Sequence, residues 1–99
     1  MNRIRLQARL VERSTTRYTP AGMAVTEVRL AYRGTLIEAG IERQLDFECA
    51  AVAVGSIAES LGALALGTQL DIDGFIAPTS KRSQRLRIHI TGYQEISEN

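Results

Sequence analysis

The chain has 99 residues, 44% of them hydrophobic, and a formal net charge of +1. That length suits one domain with a small core, expected over residues 1–99, and the apolar fraction excludes a disordered chain. No run of about 18 apolar residues is present to span a membrane.

The opening MNRIRLQARL alternates charged and apolar groups and lacks the continuous apolar stretch of a secretory signal, so a cytoplasmic protein is expected. Over Arg3–Val11 the alternation places Ile4, Leu6, Ala8 and Leu10 on one face and Arg3, Arg5, Gln7 and Arg9 on the other, a half-buried strand. Residues 14–22 (STTRYTPAG) form a turn cluster with Pro20 and Gly22 as breakers. Met23–Arg33 resumes the period of two, with Thr26, Val28, Leu30 and Tyr32 opposite Glu27, Arg29, Ala31 and Arg33. Residues 34–43 (GTLIEAGIER), with two glycines and mixed charge, read as a long hairpin loop.

Gln44–Val54 is a third strand ending in the small apolar run CAAVAV. Gly55 and Ser56 then open a short helix, with Ser56 as the expected N-cap, Glu59 at the capping-box position, and Ile57, Leu61 and Leu64 on one face. Gly62 and Gly67 limit it to two or three turns. Gln69–Ala77 is a fourth strand with Leu70, Ile72 and Phe75 expected inward and a bulge expected at Gly74. After the loop Pro78–Gln84 comes a last strand, Arg85–Ile96, with Leu86, Ile88 and Ile90 on one face and Arg85, Arg87 and His89 on the other. The expected class is all-β: five strands with one short helix between the third and fourth, the order of an OB-fold Greek-key barrel.

Charge is distributed unevenly. Eleven of the twelve cations are arginine, and Lys81, Arg82, Arg85 and Arg87 fall within seven positions that contain no acid. Arginine's planar fork pairs bidentately with phosphate and stacks on rings, although a genomic bias toward arginine codons accounts for the residue type equally well. The clustering is the informative feature.

The residues NRIRLQARLVE (2–12), RYTPAG (17–22), EVRLAYR (27–33), EAGIERQ (38–44), VGS (54–56) and IDGFI (72–76) resemble the PriB family. These primosomal replication proteins are bacterial relatives of single-stranded DNA-binding protein that act in replication restart. The resemblance spans the chain and implies a homodimer that binds single-stranded DNA and stabilises the PriA helicase on forked DNA, with DnaT a further partner in some bacteria. It is strongest in the binding region for Arg17, Arg33, Arg85 and the Lys81–Arg82 pair. The chain departs from its single-strand-binding relatives in having no tryptophan. Asp46 occupies the place of their stacking ring in RQLDFE, which moves Phe47 to the opposite face of the strand. Weaker and more electrostatic DNA binding is expected in consequence.

A single strand bound without sequence preference needs a positive track for its backbone and flat groups for its bases. In an OB-fold the binding face is made by the second and third strands, flanked by the first-to-second and fourth-to-fifth loops. Arg17, Arg29, Arg33, Lys81, Arg82, Arg85 and Arg87 fall there, and with Tyr18 and Phe47 they are the candidate contact residues. For Arg29 and Arg87 a solvated strand face explains the charge as well, and Tyr18 packing over the barrel end is an equal alternative. Tyr32 is expected in the core, as is Phe75, while Tyr93 is undecided between core and a partner. Arg3, Arg5 and Arg9 form a second basic stripe, best read as ordinary outward strand residues or dimer-edge pairing with acids.

No enzyme, metal site or cofactor is expected. His89 has no cysteine near it and stands beside Arg87, Cys49 sits in a small apolar strand, and Asp71 and Asp73, although on one face, lack further ligands. Neither a Walker-type loop nor GxGxxG occurs. Two alternatives remain. One is a protein-interaction barrel whose basic loop docks an acidic surface. The other is a conventional single-stranded DNA-binding protein subunit, which the ending at ISEN, without a long acidic tail, argues against.

Overall fold

A computed structural model describes residues 1–97, so the final two residues of the ISEN ending lie outside the described residues. Six strands and one helix follow in order: β1 (Ile4–Arg13), β2 (Arg17–Tyr18), β3 (Ala24–Glu38), β4 (Ile41–Val54), α1 (Ser56–Gly62), β5 (Gln69–Pro78) and β6 (Leu86–Glu95). The five long strands are linked in the order β1-β5-β6-β4-β3, and β3 pairs again with β1, which closes the barrel. All pairings are antiparallel except β4 with β6, a two-residue parallel seam at Ala51–Ile88 and Val52–His89. This is the expected OB-fold, with α1 between the third and fourth long strands.

The period of two fixes the core. Leu10, Leu30, Leu70 and Ile72 are fully buried and fill the barrel with Ile88, Ile90 and the small Ala8, Ala51 and Ala53. Alanines inside β4 suit a narrow interior, where larger side chains from both neighbours would overlap. Thr26 is the buried polar group of that interior. Its hydroxyl donates to the Ala58 carbonyl at 2.7 Å and lies 2.7 Å from the Thr16 hydroxyl, tying α1 and the first turn to β3.

Residues 34–43 are not a loop. β3 and β4 run on as a two-stranded ribbon whose register holds from Val25–Val54 to Glu38–Ile41, leaving only Ala39 and Gly40 at the tip. Both have positive φ, 52° and 77°, as a primed two-residue hairpin turn requires. Ala-Gly lacks the usual Asn-Gly signature, so the turn was hidden among the mixed charges. The expected turn over 14–22 also holds the short β2, paired as Arg17–Val25 and Tyr18–Ala24, before a tight Thr19–Gly22 turn.

The helix cap differs too. Gly55, with φ 91°, is the N-cap, Ser56 is already inside α1, and no side chain caps the end, so the Ser56–Glu59 box does not form. The Gly55 amide donates to the Ala24 carbonyl at 2.8 Å and the Ala58 amide to the Gly55 carbonyl at 3.0 Å, so backbone groups hold the start of the helix. α1 has seven residues, buries Ala58 and Leu61, and ends before Leu64, which packs on the core from the following turn.

Gly74 lies at a bulge. The β5–β6 register shifts there from Asp73–Gly92 to Gly74–Ile90, leaving Thr91 as the extra residue on β6. A Cβ on Gly74 would collide with the His89 carbonyl oxygen, so only glycine allows the strands to approach. Phe75 is 37% exposed rather than in the core, because the alternation of β5 puts it on the face of Asp71 and Asp73, opposite Leu70, Ile72 and Gly74. Leu86 shares the inward side of Ile88 yet is exposed, because it lies past the end of the barrel.

Candidate nucleic-acid interface

The outer face of β3, β4 and β6 collects charges far apart in sequence. Val25 and Val52 lie buried beneath it. Glu27 pairs in register with Val52, and Val52 with His89, so β4 separates Glu27 from β6. Arg87, two residues before His89, crosses the small residues of β4 to place Nη1 3.3 Å from Glu27 Oε1. Arg17 Nη1 contacts the other carboxylate oxygen at 3.3 Å. Farther along, Arg29 Nε donates to Glu48 Oε1 at 3.1 Å and Arg33 Nη2 to Asp46 Oδ2 at 3.0 Å. Arg33 and Asp46 are register partners, which explains their meeting.

Four of the candidate cations thus share one face, and each is engaged by an acid rather than free. These pairs are mostly exposed, and exposed pairs contribute about 1 kcal/mol or less, so a phosphate can replace the carboxylate. Arg87 is the exception. Its side chain is 23% exposed, and its Nε is buried without a partner.

Lys81, Arg82 and Arg85 lie in the turn between β5 and β6, closed by the Thr79 amide donating to the Arg85 carbonyl at 2.9 Å. All three are exposed and, among the described residues, form no ion pair. They supply the uncompensated part of the charge.

The second basic stripe divides. Arg5 holds Asp71 through two bonds of 3.1 and 2.6 Å, and Arg3 contacts Asp73 at 3.3 Å. The bond from Arg5, with its charge, pulls the Asp71 carboxyl below its ordinary range and raises Arg5 in turn. These two arginines are outward residues of β1 that pair with acids of the adjoining β5. Arg9 is the third member of that stripe and departs from it. It pairs in register with Ala31 and lines a cleft of about 190 Å³ with Arg33 and Asp46, beside the candidate face.

The aromatic rings fall into four places. Phe47 pairs in register with Tyr32 and stacks on it, centroids 5.2 Å apart. Their side of the ribbon is that of Cys49 and Leu30, opposite Arg33 and Asp46, so Phe47 stands apart from the candidate cations. Tyr32 is half-buried in that pair rather than fully in the core. Tyr18, 60% exposed, adjoins Arg17 on β2 and does not pack over the barrel end. Phe75 and His89 stack on the outer face with centroids 4.8 Å apart and planes at 14°. Burial and the neighbouring Arg87 push the His89 imidazole below its ordinary value, keeping it neutral. The sequence reading missed this pair; the period of two through Asp71 and Asp73, which puts Phe75 outward, was the available signal. Tyr93 packs against the core and donates its hydroxyl to Ser60 at 2.9 Å. Cys49 is half-buried and free, its thiol raised by burial and thus protonated.

With this geometry in place, the chain was compared with known proteins. Residues 2–92 match the family described as "Another single-strand binding protein family". The replication restart protein PriB of Bordetella pertussis is 35% identical over 97 residues, covering 98% of this chain and 91% of its own length. The chain belongs to the PriB family. PriB of Nitrosomonas europaea is 33% identical over 89 residues, covering 90% of this chain and 82% of its own. The PriB structure from Ralstonia solanacearum superimposes with a TM-score of 0.87 at 40% identity, over 96% of this chain and 97% of that one. The single-stranded DNA-binding protein of Thermus aquaticus shares the fold at 22% identity, with a TM-score of 0.79 over 98% of this chain and 50% of that one. Among the described residues no helix is long and apolar enough to cross a membrane.

Proposed function

We propose that this PriB family member is a single domain, residues 1–99, which binds single-stranded DNA in replication restart in the cytoplasm. It does so as a homodimer that stabilises the PriA helicase on DNA, with DnaT as a further partner and no chemistry of its own. The strand runs over the outer face of β3, β4 and β6 and along the β5–β6 turn. The carrying observation is the convergence of Arg17, Arg29, Arg33 and Arg87 on one face beside the unpaired Lys81, Arg82 and Arg85. Phosphates entering there exchange with the exposed carboxylates and release counterions, a gain that needs no base recognition.

The prior neutralisation of four arginines by Glu27, Asp46 and Glu48 favours a second reading, an interaction barrel that uses only the basic turn against an acidic protein surface. Titration of the purified chain with single- and double-stranded oligonucleotides at two ionic strengths separates the two. Preferential, salt-sensitive binding of the single strand is expected. No binding at low salt overturns the DNA reading and leaves the interaction barrel.

A further inference from the structure

The rings that single-strand binders use for bases have no place on β4 here, where Asp46 stands, and the Tyr32–Phe47 pair occupies the wrong side of the ribbon. The outer face nevertheless holds one aromatic column. From its position we infer that the stacked Phe75–His89 pair is the base platform of the groove, taking a nucleobase of a single strand on the exposed part of the Phe75 ring. The inference rests on the reading of this face as a single-strand groove.

The bulge creates the column. Were the Asp73–Gly92 register continued, Phe75 would oppose Ile90, and opposed residues share a face. A phenyl ring and an isoleucine would then compete for the same side of the sheet. The extra residue Thr91 lets Ile90 stay buried while Phe75 moves opposite His89 on the outside. Gly74 permits this, since any side chain there strikes the His89 backbone.

The column also stands at the right place. His89 is two residues from Arg87 on the same face, and Phe75 is two residues from Ala77, the register partner of Arg87. A backbone held by Arg87 and the Lys81–Arg85 turn therefore passes beside the rings. A base laid on the exposed part of Phe75 extends the stack of the two rings. A neutral imidazole suits this better than a charged one, because it adds no repulsion beside Arg87. Phe75 lies on the face of Asp71 and Asp73, opposite the buried Leu70, Ile72 and Gly74, so the core does not account for its ring.

The test compares wild type, Phe75→Leu and Phe75→Tyr by fluorescence anisotropy on labelled oligo-dT and on an abasic strand of equal length. Phe75→Leu is expected to weaken oligo-dT binding by about fivefold or more. It is expected to leave both abasic affinity and the slope of log K against log salt unchanged, while Phe75→Tyr restores binding. Equal affinity of Phe75→Leu and wild type for oligo-dT overturns the platform, as does an equal loss on the abasic strand. If wild type binds neither strand, the groove itself is refuted and the platform falls with it. Should Phe75→Leu fail to fold by circular dichroism, His89→Asn carries the same comparison.

Discussion

Arg87 reaches across β4 to Glu27, with Nη1 3.3 Å from Oε1, joining residues 60 apart in the chain. The same carboxylate contacts Arg17. One acid therefore holds two of the cations assigned to the groove, and its removal tests what they do when released. Glu27→Gln is expected to raise single-strand affinity severalfold and to steepen the salt dependence by about 0.7 in log–log slope for each phosphate gained. Anisotropy over a salt series measures both. Unchanged affinity would mean that Arg17 and Arg87 serve only the barrel.

Arg82 and Arg85 carry no ion pair among the described residues and lie outside the core, so reversing them to Glu leaves the fold alone. The double variant is expected to lose severalfold in single-strand affinity with an unchanged circular dichroism spectrum and melting temperature. Wild-type affinity in that variant would remove the β5–β6 turn from the groove.

His89 makes stability depend on pH. Its folded-state value lies below the ordinary 6.5 because burial, and then Arg87, disfavour the imidazolium. The unfolded chain then binds the proton more readily, so this contribution is present above 6.5 and is lost as pH falls through the folded value. Urea midpoints between pH 8 and pH 5 are expected to fall on the acid side. His89→Asn should remove that part of the slope, and an identical profile in the variant would refute the assignment.

Thr26→Val keeps the shape but deletes a buried hydroxyl that donates to Ala58 and meets Thr16. The Ala58 carbonyl is left without that donor, at an expected cost of about 1–3 kcal/mol. Urea unfolding measures it. A loss below about 0.5 kcal/mol would show that water replaces the hydroxyl, which its complete burial argues against.

Much of this was legible without coordinates. The inward positions of β1, the first half of β3, and Ile88 and Ile90 of β6 follow from side-chain alternation, which is a property of the extended backbone and survives any arrangement of neighbours. Family resemblance and strand order pointed to the same barrel. Three features were not legible. The 34–43 ribbon hid its turn in Ala39–Gly40, where alanine adopts a conformation usually left to glycine or asparagine. Gly55 rather than Ser56 is the cap, its amide held by the Ala24 carbonyl of β3 and its own carbonyl accepting from the Ala58 amide. The pairing of Phe75 with His89 depends on one extra residue on a different strand, which changed the partner of Phe75.

The amino-acid order alone determined which residues are inside, where the helix falls and how many cations sit near residue 80, since each depends on neighbours a few positions away. Which charges meet was decided only by strand pairing. Arg87 with Glu27 and Phe75 with His89 are set by register across strands, and that register depends on bulges and pairings that no local pattern contains. The hairpin registers of β3 with β2 and β4 place acids beside Arg17, Arg29 and Arg33, while the β4–β6 seam of the closed barrel places Arg87 beside Glu27.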